Sequence, residues 1–418
     1  MNPIYNECIN FLEDMGLPKG ILQEGVYWLD NQIIKYFDRR GNPHNFCRVK
    51  VNEDLSLSFK LYSDKYYYRK ISWEELVAIN NSHLTDIENH SLKLIDLVIS
   101  QHIDRDVSML ISGGKDSSVT QHLVSKCCSE FSLVFNNTTL DCADTYKYIK
   151  SLDNVLILTP SEGFYTWQQR VNLIPTRFTR ACCGIFKEGC MVDVLPKDSK
   201  YIFFMGMRNL ESNTRSSYGD YWKNLKWGNR EWDACLPIRT WSELDVWLYI
   251  FKNNIEVNPK YKKGYSRVGC AVACPYYSKF TWCLDRYWYP KLYERWHNIL
   301  EKDFISNRKA ILLNCTLEEY HSCWNGGMLR DTPTEEVVKE FSDMYDLDIS
   351  IAKKFFNKEC KNCGKKLKNN DVGLSLKYFG RNIEQFMCIK CLAKEFNVPE
   401  SVLKSKIDEF KDEGCKLF

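Results

Sequence analysis

The sequence predicts an α/β protein: a parallel, twisted sheet with helices on both faces, preceded by a small α+β region and followed by a cysteine-rich module. Three observations lead there. Apolar runs at Ser132–Phe135, Val155–Leu158 and Tyr201–Met205 are separated by stretches of helical period, the alternation that builds parallel sheets. Another apolar run ends in Leu110-Ile111 and breaks into Ser112-Gly113-Gly114-Lys115-Asp116-Ser117-Ser118, after which a helical pattern starts at Val119. Near the C-terminus, Cys360-x2-Cys363 and Cys388-x2-Cys391 stand 24 residues apart.

Taken in order, residues 1–100 form the α+β region. After a short helical start, Ile33–Phe37, Phe46–Val51 and Leu55–Tyr62 read as strands; the last alternates Leu55, Leu57, Phe59 and Leu61 with polar neighbours. Tyr66-Tyr67-Tyr68-Arg69-Lys70 is aromatic and basic, suited either to stacking on bases or to a half-buried sheet face. Leu92–Gln101 is helical in pattern and leads into the main α/β unit, residues 101–331. Residues 332–358 are polar with helical period and read as a linker, and residues 359–418 make the cysteine-rich module with a helix over Pro399–Phe410.

Composition narrows the function classes. A net charge of +3 over 418 residues gives no broad field to attract nucleic acid. No run of eighteen apolar residues occurs and the start, Met1 to Glu13, lacks a signal-peptide core, so a soluble cytoplasmic protein with no membrane partner is expected. Nineteen cysteines in a reducing compartment point to metal or redox chemistry rather than disulfides.

The glycine turn carries the strongest chemical signal. A strand–turn–helix junction directs backbone N–H groups and a helix N-terminus at an anion, and phosphate suits that field. Gly113 and Gly114 allow close backbone approach, Ser112, Ser117 and Ser118 offer hydroxyls, Lys115 a charge, and Asp116 a ligand for Mg²⁺. The spacing is not that of a Walker A loop. It resembles the PP-loop, S-G-G-x-D-S, of the ATP pyrophosphatases (adenine nucleotide alpha hydrolase-like folds), which cut ATP between the α and β phosphates.

Further motifs follow in order: Arg180-Ala-Cys182-Cys183 with Lys187, Gly206-Met-Arg208-Asn-Leu-Glu211-Ser212 with Arg215, Pro237-Ile238 with Trp241, Asp245-Val246-Trp247 with Tyr249, Asn258-Pro259 with Tyr261, and Gly264-Tyr265 leading to Gly269-Cys270. Together they resemble the phosphoadenosine phosphosulfate (PAPS) reductase family over roughly residues 100–285. Arg208 and Arg215 follow a strand and offer guanidinium forks to phosphate or sulfate. Asn258 to Gly264 reads as a loop that covers a substrate. The resemblance implies ATP and adenine nucleotide binding by Ser112–Ser118 with Arg208 and Arg215, and catalytic roles for Lys115, Asp116 and Arg208. Two departures matter. Sulfonucleotide reductases usually lack the full S-G-G-K-D-S loop, and they end in Glu-Cys-Gly, whereas this chain ends Glu413-Gly414-Cys415-Lys416-Leu417-Phe418. Both shift the reading toward ATP-dependent sulfur transfer.

Two cysteine sets follow. In the iron–sulfur branch of the family, a Cys-Cys pair and a later Cys-x2-Cys hold a 4Fe–4S cluster; here Cys182, Cys183, Cys270 and Cys274 correspond, with one extra residue in the second pair. Cys283 is the alternative fourth ligand and zinc the alternative metal. Cys360, Cys363, Cys388 and Cys391 have zinc-ribbon spacing, and one Zn²⁺ closes a tetrahedral site. The module has 12 basic and 9 acidic residues, so docking to protein and binding nucleic acid are both open. Cys415 is read either as a catalytic, sulfur-carrying nucleophile or as part of an apolar terminal cap.

Three functions are consistent with these residues. In the first, ATP adenylates an acceptor (tRNA, DNA, a nucleotide or a small metabolite) and sulfur from a donor replaces the activated oxygen. In the second, thiols reduce a sulfonucleotide to sulfite with a thioredoxin-like reductant. In the third, the chain binds nucleotide or nucleic acid without turnover.

Overall fold

The protein is described by a computed structural model covering residues 1–62, 68–175, 181–211, 218–222, 230–306, 335–345, 348–349, 359–379 and 386–412. The N-terminal elements are β1 (Asn2–Pro3), α1 (Asn6–Asp14), β2 (Trp28–Asp30), β3 (Ile33–Phe37), β4 (Pro43–Val51), β5 (Leu57–Leu61), α2 (Trp73–Ile79) and α3 (Asn81–Gln101). The five strands form an antiparallel sheet in chain order. Helix α2 starts in a capping box, with the Ser72 hydroxyl accepting from the Glu75 N–H and the Glu75 carboxylate from the Ser72 N–H.

The α/β unit runs through β6 (Asp106–Ile111), α4 (Lys115–Cys127), β7 (Ser132–Asn136), α5 (Ala143–Lys150), β8 (Val155–Leu158) and α6 (Phe164–Val171). A π-helical stretch (Cys183–Glu188) then continues into α7 (Gly189–Val194). After it come β9 (Lys200–Met205), a 3₁₀ turn (Asn209–Glu211), β10 (Tyr221–Trp222) and β11 (Glu231–Cys235). Helices α8 (Glu243–Lys252), α9 (Pro259–Lys262), α10 (Lys279–Trp288) and α11 (Pro290–Ser306) complete it. The six strands lie in the order β10-β11-β9-β6-β7-β8, parallel throughout except for β10. The expected parallel α/β sheet is therefore present. From β6 the chain proceeds outward through β7 and β8, then returns to place β9 on the other side. The order reverses between β6 and β9, and in such sheets the ligand crevice opens beyond the carboxyl ends of those strands.

The N-terminal region and the α/β sheet share their cores. Trp28, Phe37, Trp73 and Leu76 pack with Val119 and Leu123 of α4 and Trp247 of α8. Leu12, Ile34 and Val49 pack with Phe280 and Leu284 of α10. The boundary expected near residue 100 thus runs through continuous apolar packing.

Helix α12 (Glu335–Tyr345) lies in the stretch expected to be a linker, yet Val337, Val338 and Phe341 are buried against the α/β unit. Two glycines make the close approach. A Cβ on Gly184 would come within 2.6 Å of the Phe341 ring, and one on Gly189 would overlap the Met344 sulfur. The C-terminal module contains α13 (Asn369–Phe379), α14 (Ile389–Glu395) and α15 (Glu400–Asp412), with Leu374, Leu392, Leu403 and Ile407 as its core. The helix expected over Pro399–Phe410 is α15. No helix among the described residues is long and apolar enough to cross a membrane.

Candidate functional site

The glycine turn sits at the reversal of strand order. Gly113 adopts φ +70°, a backbone angle that side chains disfavour, and Gly114 is the N-cap of α4. Ser112 stays exposed at the mouth, whereas Lys115, Asp116, Ser117 and Ser118 are buried. The Ser117 and Ser118 hydroxyls do not face outward as expected. They donate to the Gly114 carbonyl at 2.7 and 3.1 Å, and Ser118 also meets the Tyr148 hydroxyl at 2.9 Å.

Strand β9 ends beside this turn. Arg208, 5% exposed, reaches back so that its Nε donates to Asp116 Oδ1, while Lys115 Nζ lies 3.0 Å from Asp116 Oδ2. Each cation has a second carboxylate: Glu243 Oε1 is 3.3 Å from Lys115 Nζ, and Glu211 Oε1 is 3.7 Å from Arg208 Nη2. Glu243 also pairs with the Met1 amine. Burial alone would raise the Asp116 pKa, but Lys115 and Arg208 outweigh it and hold it below the usual carboxylate value. Lys115 in turn is held charged against burial, mainly by Asp116. With both oxygens of Asp116 engaged by cations, Mg²⁺ at that carboxylate does not fit this arrangement, because it would have to displace one of them.

The segment from Asn258 to Gly264 covers the turn from the other side, as a short helix rather than the loop expected. Asn258, fully buried, donates to Thr145 Oγ1 at 3.2 Å and abuts Gly113. The Tyr261 hydroxyl accepts from the Lys115 backbone N–H at 2.9 Å. Tyr261 and Gly206 were legible as parts of motifs without a role; Glu243 and Tyr148 carried no local signal, since the fold alone brings them to the turn. Arg215 and Cys415 lie outside the described residues, as do Arg180 and Ser212.

Cys182, Cys183, Cys270 and Cys274 come together from two segments. Cys182, Cys270 and Cys274 pack against one apolar cluster. The Cys182 thiol is pushed well up by its hydrogen bond to Cys183, by burial, and by the charges of Cys183, Cys270 and Cys274. Burial, then Cys274 and Asp141, push Cys270 up. Burial works against the Arg267 charge, but Cys274, Tyr277, Cys270 and Cys183 outweigh it. Four thiols that repel one another as thiolates, with an arginine beside them, fit a cationic metal group that would neutralise them. Cys283 does not join them: its Sγ donates to the Lys279 and Leu55 carbonyls at 3.3 and 3.4 Å within a different apolar cluster. Cys127, Cys128, Cys142, Cys190, Cys235, Cys315 and Cys323 have no ligand spacing, which predicts burial; Cys142, Cys190 and Cys235 are buried and Cys127 and Cys128 half-buried, while Cys315 and Cys323 lie outside the described residues.

The second set is tighter. The sulfurs of Cys360, Cys363, Cys388 and Cys391 lie within 4.8 Å of one another, with Cys363 and Cys388 3.7 Å apart. Tetrahedral Zn²⁺ with bonds of about 2.3 Å places sulfurs about 3.8 Å apart. Gly364, at φ +66°, closes the first turn, where its N–H donates to the Cys360 carbonyl at 2.8 Å. Burial would raise the Cys360 pKa, but the N–H groups of Cys388, Asn362 and Cys363 bring it down to about 6, favouring the thiolate that a metal requires. Among the described residues this is the one group of three or more such ligands placed to hold a single ion.

Residues 106–275 match the sequence family described as the phosphoadenosine phosphosulfate reductase domain. An uncharacterized protein of Methanocaldococcus jannaschii is 26% identical over 264 residues, covering 62% of this chain and 63% of its own length. An adenosine 5'-phosphosulfate reductase of Lysinibacillus sphaericus is 25% identical over 182 residues, covering 41% of this chain and 74% of its own. Among solved structures, the PAPS reductase of Candida auris in its phosphate complex aligns at 14% identity with a TM-score of 0.33, over 45% of this chain and 94% of that one. The chain spans between about half and two thirds of the length of the archaeal relatives it matches, 63% and 52%.

Proposed function

We propose that this protein, whose residues 106–275 form a PAPS reductase-family domain, binds ATP at the β6–α4 turn and uses it to activate an acceptor for sulfur transfer. The observation that carries the reading is the meeting of Lys115, Asp116 and Arg208 at the reversal of strand order. An acceptor oxygen attacks the α-phosphorus, the bond to the α–β bridging oxygen breaks, and pyrophosphate leaves. Lys115, Arg208 and the turn's N–H groups neutralise charge on the phosphates; Arg215 is assigned the same role from its motif. The adenylated oxygen then leaves as AMP when sulfur replaces it.

Cys182, Cys183, Cys270 and Cys274 would hold a 4Fe–4S cluster, which when bound presents iron to a sulfur species. Tyr277 fixes the second of these segments, its hydroxyl donating to the Gly269 carbonyl at 3.2 Å, and the Ala271 N–H donates to the Leu140 carbonyl at 2.9 Å. Cys360, Cys363, Cys388 and Cys391 would hold Zn²⁺, which folds the C-terminal module and so presents it to an acceptor or partner.

Sulfonucleotide reduction is the second reading, favoured by the likeness to the Lysinibacillus reductase. It assigns Cys415 as the thiol that attacks sulfur. The two separate in one assay. Sulfur transfer requires pyrophosphate release from ATP that falls at least a hundredfold in Lys115→Met and is independent of Cys415. Sulfite release from a sulfonucleotide without ATP, lost in Cys415→Ser, selects reduction instead.

A further inference from the structure

Three donors that the turn would offer to a phosphate, the Lys115 N–H, Lys115 Nζ and Arg208 Nε, are already taken by side-chain oxygens of the protein itself. The first N–H of α4, at Lys115, donates to the Tyr261 hydroxyl at 2.9 Å. Lys115 Nζ meets Asp116 at 3.0 Å, and Arg208 Nε meets the other oxygen of the same carboxylate. The carboxylate and the phenol come from opposite walls of the crevice. Asp116 lies one residue into α4, Tyr261 on the short helix α9. Neither oxygen is incidental, for Asp116 is 9% and Tyr261 2% exposed. Charge points the same way: Lys115 is paired with Asp116 and Glu243, and Arg208 with Asp116 and Glu211. A turn whose two cations and first helical N–H are already engaged exerts less net pull on an incoming anion, so binding at those groups must proceed by exchange.

We propose that Asp116 and Tyr261 act as a built-in surrogate anion: their oxygens satisfy the turn in the free protein, and the phosphate or sulfate oxygens of the ligand displace them on binding. The inference rests on the nucleotide-binding reading and deepens it. Asp116 is then a negative determinant of affinity in the metal-free state, the opposite of a residue that merely steadies Arg208. The arrangement favours ligands with several anionic oxygens, since one displacement must be offset at Lys115, at Arg208 and at the Lys115 N–H together. It disfavours a single weakly charged oxygen, which replaces only one contact.

Calorimetric titration of the full chain with inorganic pyrophosphate in EDTA tests this. Asp116→Asn is expected to bind pyrophosphate about fivefold to tenfold tighter than wild type, and Tyr261→Phe about twofold to fivefold tighter. Equal or weaker binding by Asp116→Asn, at an unchanged near-UV circular dichroism spectrum, overturns the proposal and makes Asp116 a positioning residue. If Asp116→Asn loses that spectrum, Glu211→Gln replaces it, for it unburdens Arg208 from an exposed position. About twofold tighter binding then supports the surrogate, and unchanged binding overturns it. The underlying reading is checked apart from this: ATP binding to wild type that Lys115→Met leaves intact places the nucleotide elsewhere, whatever pyrophosphate does.

Discussion

Gly206 lies flush against the peptide that joins Asp116 to Ser117: a Cβ at Gly206 would come within 2.6 Å of the Ser117 nitrogen and closer still to the Asp116 carbonyl group. The end of β9 therefore touches the first turn of α4 through backbone alone, and this contact brings Arg208 within reach of Asp116. Gly206→Ala is expected to cost about 1–3 kcal/mol of stability, as overpacking does, and to weaken nucleotide binding by shifting Arg208. Denaturant unfolding and ATP titration on the same preparation check both.

Iron content separates the two cysteine assignments. After anaerobic purification, Cys182→Ser is expected to lose iron and visible absorbance, whereas Cys283→Ser, whose sulfur lies in another cluster, keeps both. Metal and sulfide analysis of the two variants decides it.

The C-terminal module is expected to depend on an ion held by its four cysteines. Chelation, or Cys388→Ser, is expected to release one zinc per chain and to melt α13, α14 and α15, because its small apolar core leaves much of the folding energy to metal binding. Far-UV circular dichroism during titration with a chelator, read beside released zinc, is the measurement.

Helix α12 is held by apolar contact and by charge. The Trp167 Nε1–H donates to Glu340 at 3.2 Å, Arg170 pairs with Glu336 and Glu340, and Phe341 rests on Gly184. Phe341→Ala is expected to destabilise the protein by about 3 kcal/mol. Limited proteolysis is then expected to cut within 335–345 first, which mass spectrometry of the fragments reads out.

Asp285 gives a pH signature. It is fully buried, and Tyr265 donates to one of its oxygens at 2.7 Å while the other has no hydrogen-bond partner. Burial pushes its pKa up to about 6, against the pull of Lys260 and Tyr265. A carboxyl raised on folding stabilises the protein below its unfolded value and loses that contribution as pH rises through the folded one. Its share of stability therefore falls between about pH 4 and pH 6, by up to about 3 kcal/mol. Asp285→Asn is expected to lack this fall, so its melting temperature gains on wild type between pH 4 and pH 7.

The strands and the glycine turn were legible because their signals are local: Leu133, Val134 and Phe135 are apolar in sequence and buried in the sheet. The zinc-type set was legible because two turns carry all four ligands. Less legible were features that exist only through packing. Helical period at 335–345 showed a helix, but Gly184 and Gly189, which receive it, lie some 150 residues earlier. The hydroxyls of Ser117 and Ser118 looked like ligand donors because composition does not reveal that a free Gly114 carbonyl would claim them. Cys283 looked like a ligand because spacing along the chain says nothing of which side of α10 a sulfur occupies.

The π-helical stretch from Cys183 to Glu188 lies within one continuous helical run from Ala181 to Val194. Such a turn holds one residue more than an α-turn. Deleting a residue there would restore regular winding and rotate everything before it by about 100° relative to α7. Cys190 and Met191 would keep their places in the sheet core, while the adjacent thiols of Cys182 and Cys183 swung off the side that faces Cys270. The extra residue thus works as a phase shifter, letting one rod serve two surfaces that ordinary helical geometry would put out of step.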